Sequence, residues 1–116
     1  MALPKTVITA VDVRLTFRGL PLILTLVAPR MDFEKKTEQA RNAQGVPLWE
    51  AHVALPFEGY QGAPNYVVCP IVIAAPDAPA IAPSTPVDLV ALKQRTNTTN
   101  GRVSFSAETV RPLKAA

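Results

Sequence analysis

Twelve prolines spread through 116 residues constrain this chain more than any motif in it. An interior proline removes a helix hydrogen bond and clashes with the preceding turn, so long helices have nowhere to form. Extended strands remain. Between the prolines, apolar residues recur at every second position, the period that collects them on one face of a pleated strand. Val7, Thr9, Val11, Val13, Leu15 and Phe17 alternate with Ile8, Ala10, Asp12, Arg14, Thr16 and Arg18, which predicts a first strand over residues 6–18 with one apolar and one charged face.

The same reading predicts an extended stretch over residues 22–36, apolar at Leu22, Leu24 and Leu26 and polar towards its end. Residues 47–55 follow, with Trp49 on the same face as Val53 and Leu55. "YVVCPIVIA" is dense in β-branched residues and predicts a strand buried on both faces, with Pro70 marking an edge or a bulge. A stiff connector, "APDAPAIAPSTP", precedes two last strands over residues 87–94 and 102–110, joined by the Asn-Gly-containing loop "RTNTTNG". The segment 33–43 has helix-favouring residue types but no apolar stripe, which predicts a basic hairpin tip or at most a turn of helix.

At this length the prediction is one domain over residues 1–116, and 48% apolar with 18% charged residues describes a globular chain. The longest apolar run, residues 20–28, is broken by Pro21 and Thr25 and is too short for a bilayer. The first residues lack the continuous apolar stretch of a secretory signal, so a cytoplasmic protein is expected. Cys69 has no disulfide partner, and with His52 as the one imidazole there is no set of zinc ligands.

Nucleophile elbows, zinc-binding His-Glu-x-x-His and phosphate-cradling glycine loops are all absent from the sequence. Glu50 and His52 share a strand face, but two polar residues on such a face are more often solvated than catalytic. The expectation is a protein that is not an enzyme, with no catalytic residues, cofactor or metal.

A net charge of +3 and a pI near 9.4 favour polyanions. Binders of single strands combine a cationic track for phosphates with aromatic faces for bases. Arg30, Lys35, Lys36 and Arg41 fall on the first long arm and its tip, and Lys93, Arg95 and Arg102 bracket the second hairpin loop. Tyr60 and Tyr66 lie in or beside the loop between them and serve as contacts or as lids. Trp49 is either core or stacking platform, and the Lys35 and Lys36 pair, beside Glu34 and Glu38, is either a phosphate contact or a solvated tip.

In order, the long arm, the basic tip, "QGVPLWEAHVAL", the Tyr-containing loop, "NYVVCPIVI", the proline-rich connector, "PVDLVALKQ" and "GRVSFSAETVRPLK" resemble the small OB-fold single-stranded-DNA-binding proteins of filamentous phages. They also resemble replication activator proteins of actinobacterial plasmids and integrative elements. The likeness covers roughly residues 20–114 and is sharpest at Gly45-x-Pro47 and in the strand of Phe105. It implies a DNA-gripping wing carrying Lys35, Lys36 and Arg41, with Leu48 or Trp49 in the aromatic position, and dimerisation through the hairpin over residues 93–102. The N-terminal strand and the long connector depart from that pattern.

The expected fold is therefore all-β: a five-stranded Greek-key OB-like barrel with an extended basic hairpin and an extra N-terminal strand. The expected function is largely sequence-independent binding of single-stranded DNA, with RNA left open as a ligand, in replication or transfer of a phage, plasmid or mobile element. A homodimer or higher homo-oligomer is expected. The alternative is a β-barrel or sandwich assembly module that self-associates and whose charge is incidental.

Overall fold

In the computed structural model, which describes residues 6–32, 34 and 37–113, the chain is all-β. Its elements are β1 (Thr6–Ala10), a single helical turn α1 (Val13–Thr16), β2 (Leu22–Pro29), β3 (Leu48–Glu58), a 3-10 turn at Tyr60–Gly62, β4 (Pro64–Ala74), β5 (Thr85–Val90), β6 (Lys93–Asn97), β7 (Val103–Ser106) and β8 (Thr109–Pro112). The strands form one sheet in the order β1-β6-β7-β4-β3-β2-β5-β8. Every pairing is antiparallel except β4 with β7, where Ile71 lies beside Phe105 and Val72 beside Ser106. No helix among the described residues is long and apolar enough to cross a membrane.

The period-two pattern selects the core. Leu22 and Leu24 from β2, Ala51, Val53 and Leu55 from β3, and Ile71 and Ile73 from β4 are buried together with Val87 and Leu89 of β5. Leu92, Val110 and Phe17 complete the cluster. Burying a large aliphatic side chain is worth about 1.5–3 kcal/mol, so this face holds the strands together.

Prolines enter the strands where the backbone does not need their missing N–H. Ala75 donates to the Pro47 carbonyl at 3.0 Å, which fixes the alternation along β3 and β4. By that alternation Pro56 and Pro70 turn their nitrogens away from the β3–β4 ladder. Pro70 also precedes the point, Ile71, at which β7 joins β4. The edge character expected from Pro70 thus has a local origin.

Four expectations are revised. The first strand ends at Ala10 instead of running to residue 18: the Asp12 carboxylate accepts a hydrogen bond from the Leu15 amide at 3.0 Å and caps α1, offering the backbone a helical turn. The strand expected over 87–94 is broken at Ala91, whose φ of 54° is left-handed, so β5 and β6 diverge. The last strand divides into β7 and β8 around Ala107 and Glu108, whose amides donate to the Val72 and Val90 carbonyls at 3.0 and 2.9 Å. Finally, β4 is not buried on both faces: residues 64–68 are exposed because β7 reaches β4 only from Ile71 onwards.

Candidate nucleic-acid interface

β1, β6 and β7 form a three-stranded arm whose register decides where its charges go. Lys93 lies between Ala10 and Ser106, and Arg95 between Ile8 and Ser104. Neighbours in register share a face, so Lys93 and Arg95 project on one side with two serine hydroxyls beside them. Arg102 joins that side through its pairing with Asn97, where the Asn97 amide donates to the Arg102 carbonyl at 2.8 Å. All three cations are exposed, and among the described residues none is in an ion pair. Nor does any of the three strands contain an aspartate or glutamate. The tip between β6 and β7 is held by the Asn97 side chain, which accepts from the Thr99 amide at 2.9 Å, and by Gly101 at φ 72°.

This charged face continues across the sheet. Val72 lies beside Ser106 in the parallel pair and opposite Glu50, which lies opposite Ala28, so Lys93, Ser106, Val72, Glu50 and Ala28 form one outward row. At about 4.8 Å between strands, Lys93 and Glu50 stand roughly 14 Å apart along it. The flanking outward positions are apolar except for His52: Leu26 is opposite His52, which is opposite Pro70, and Val68 is opposite Ala54. Leu26 is 47% and Val68 52% exposed, which leaves an uncovered apolar floor beside the arm. Sequence reasoning missed these two residues: Val68 has the parity opposite to Ile71, but Leu26 shares the parity of Leu24 and is turned outward only by the bulge at Thr25.

The far side of this face carries Arg30. Its guanidinium donates to Glu50 at 2.9 Å, and the other Glu50 oxygen lies 3.5 Å from His52 Nε2. Both side chains of the Arg30 pair are partly solvated, so the contact is worth about 1 kcal/mol or less and leaves the arginine able to exchange partners.

Beyond Arg30 the expected single long hairpin is replaced by a three-way junction. Arg30 donates to the Leu48 carbonyl, Leu48 to that of Ala40 and Ala40 to that of Arg30, at 3.0, 2.9 and 2.7 Å. Two separate antiparallel bridges, Met31 with Gln39 and Arg41 with Pro47, branch from this ring instead of one extended wing. Asn42 drives the second: its side chain accepts from the Gln44 and Val46 amides at 3.0 and 2.9 Å, and Gly45 takes φ 78°. Arg41 donates to the Gly45 carbonyl at 2.9 Å and so clamps its own turn. Lys35 and Lys36 lie outside the described residues.

The aromatic candidates separate. Trp49 keeps the core-side parity of Ala51 and Val53, is half-buried, and its indole N–H donates to the Ala75 carbonyl at 2.9 Å. By its parity it does not join the outward face. Tyr66 is exposed on the outward parity of β4, opposite Pro56, and its hydroxyl donates to the Pro21 carbonyl at 3.3 Å. Tyr60 begins the 3-10 turn, and its side chain lies outside the description. Arg111, by contrast, is engaged by Asp88 at 3.1 Å on the β5–β8 side. Burial raises the Cys69 thiol above its ordinary value, which keeps it protonated at neutral pH.

Comparison with protein-family models, with curated proteins and with solved structures finds no match to this chain.

Proposed function

We propose that this protein binds single-stranded DNA, with little sequence preference, along the outward face that runs from the β6–β7 arm across β4 and β3. The observation that carries this reading is the set of three cations, Lys93, Arg95 and Arg102, without ion pairs among the described residues, on one exposed face of an arm whose strands contain no carboxylate. Phosphates follow the cations, and bases lie over Leu26, Val68, Pro70 and the His52 imidazole, with Tyr66 at the border. Arg30 serves as a second phosphate contact once it leaves Glu50. The chemistry is recognition alone, and its setting is the replication or transfer of a phage, plasmid or mobile element.

The accompanying fold reading is an OB-like barrel. Three features support it: the parallel β4–β7 pairing, the position of β2 between β3 and β5, and the two-residue joint that makes β7 and β8 one bent strand touching β4 at one end and β5 at the other. If β5 and β6 also count as one strand bent at Ala91, five strands remain besides β1, and the last of them lies between β4 and β5. Such a barrel offers its outer face over the second and third strands, here β3 and β4, to an extended ligand.

Fluorescence anisotropy of a labelled oligo-dT tests the reading. Affinity should fall steeply as salt rises, since each phosphate contact on a single strand contributes about 0.7 to the log-log slope. No binding at low salt, or binding indifferent to salt, contradicts it.

A further inference from the structure

The arm ends in an open strand. β1 pairs with β6 alone and stands at one end of the sheet order, whereas the chain itself ties β8, at the other end, back to β7. The hydrogen bond from the Val11 amide to the Leu92 carbonyl, at 2.9 Å, sets which groups along β1 face β6. Counting back in the same register, Val7 and Thr9 turn their N–H and C=O groups to β6, and Thr6, Ile8 and Ala10 turn theirs to the free edge. Among the described residues nothing accepts from or donates to that edge. Within Thr6–Ala10 there is no lysine, proline or bulge of the kind that blunts an exposed edge. All five residues are exposed, Ile8 at 56%.

We infer that β1 is the self-association edge of this protein: a second copy adds its own β1 antiparallel, about a two-fold axis through Ile8. The pattern of outward groups is symmetric about Ile8, which is what an isologous contact requires. Ile8 exchanges both backbone bonds with the partner's Ile8, Thr6 with the partner's Ala10, and Ala10 with the partner's Thr6, so every edge donor meets an acceptor. Ile8 then packs on its counterpart, and Val7 faces the partner's Thr9 on the opposite side. The occupant is a second copy because the edge is complementary to itself.

This contact is different from one made through the β6–β7 hairpin tip, which it leaves free. Because the two-fold axis stands perpendicular to the sheet, the faces bearing Lys93, Arg95 and Arg102 in the two copies end on the same side. A continuous six-stranded surface then carries both cation sets. That consequence rests on the proposed binding of single-stranded DNA; the contact itself does not.

The test is made without nucleic acid. Light scattering should give roughly twice the 12.5 kDa chain mass for the wild type and the single-chain mass for Ile8→Pro, which removes an edge N–H that β6 does not use. A wild type that stays at the single-chain mass up to its solubility limit, or an Ile8→Pro protein that still dimerises, overturns the inference. The register is tested separately by the pair Val7→Cys and Thr9→Cys in a Cys69→Ala background. Opposed residues of a non-hydrogen-bonded pair have Cα atoms about 4.5 Å apart, within disulfide range, whereas the two copies of residue 7 are diagonal neighbours at about 7–8 Å. Oxidation should cross-link the double variant at least tenfold more than Val7→Cys alone; equal yields, or none, overturn the register and the inference with it. A short oligo-dT, too short to span two copies, should bind Ile8→Pro as it binds wild type. If neither binds, the nucleic-acid reading fails while the dimer stands.

Discussion

Replacing Lys93, Arg95 and Arg102 together with alanine should weaken binding of oligo-dT by about a hundredfold near 0.1 M salt and lower the log-log salt slope by about two. Each phosphate contact releases about 0.7 of a condensed counterion from a single strand, so three contacts account for a slope near two, and a slope of two is worth two decades at 0.1 M. The change should leave the fold intact, because the three side chains are exposed and unpaired among the described residues. Anisotropy titrations at several salt concentrations, with thermal melts as a control, measure both parts. A triple variant that binds with wild-type affinity removes the arm from the interface. An unchanged slope with weaker binding means that the three residues act by some route other than phosphate neutralisation.

The largest effect on stability is expected at Leu24. It lies on β2 between β3 and β5, opposite Val53 and Thr85, and is fully buried. The bulge at Thr25, where the register between β2 and β3 shifts, keeps Leu24 inward while sending Leu26 out, and the Thr25 hydroxyl anchors it by donating to the His52 carbonyl at 2.8 Å. Leu24→Ala removes apolar surface and leaves a cavity that a sheet pinned on both sides of β2 cannot collapse. The expected cost is about 3 kcal/mol, within the 2–5 kcal/mol typical of such truncations. Urea denaturation measures it, and the midpoint should fall with little change in the slope. By contrast Leu26→Ala, two residues along the same strand but 47% exposed, should change stability by about 0.5 kcal/mol or less. Similar costs for the two would mean that the bulge does not separate core from surface.

The strands of this chain are written in its alternation, and their boundaries are not. Ala51, Val53 and Leu55 are buried as their parity predicts, as are Leu22 and Leu24. The parity fails where a local hydrogen bond competes with the ladder. Asp12 stops the first strand by capping a turn, and the same residue type pattern, apolar at Val13 and Leu15, gives no warning of it. Asn42 closes a short hairpin in what sequence presents as one long arm, because an amide side chain can imitate a turn using only residues close to it. The exposure of Val67 and Val68 reflects which strands arrive next to β4, a tertiary fact that β-branched composition cannot encode.

The candidate face was partly legible for the same reason. Lys93, Arg95 and Arg102 could be named as a group from sequence, but their common side depends on the pairing of Asn97 with Arg102, which the turn sets. Arg41 and Arg30 look equivalent in sequence; one clamps its own turn and the other crosses to Glu50. Trp49 reads correctly as sharing the core-side face of Val53, and what anchors it is the carbonyl of Ala75 from beyond β4. Leu26, His52 and Val68 were hidden because the floor they form is assembled from three strands.

The most direct test of the account is an amide chemical-shift map of the protein titrated with oligo-dT. Perturbations should concentrate on the β6–β7 arm at residues 93–97 and 102–106 and extend across the outward positions of β4 and β3, including Val68, Glu50 and His52. Shifts confined to the β5–β8 side around Asp88 and Arg111, or no shifts at saturating ligand, would contradict it.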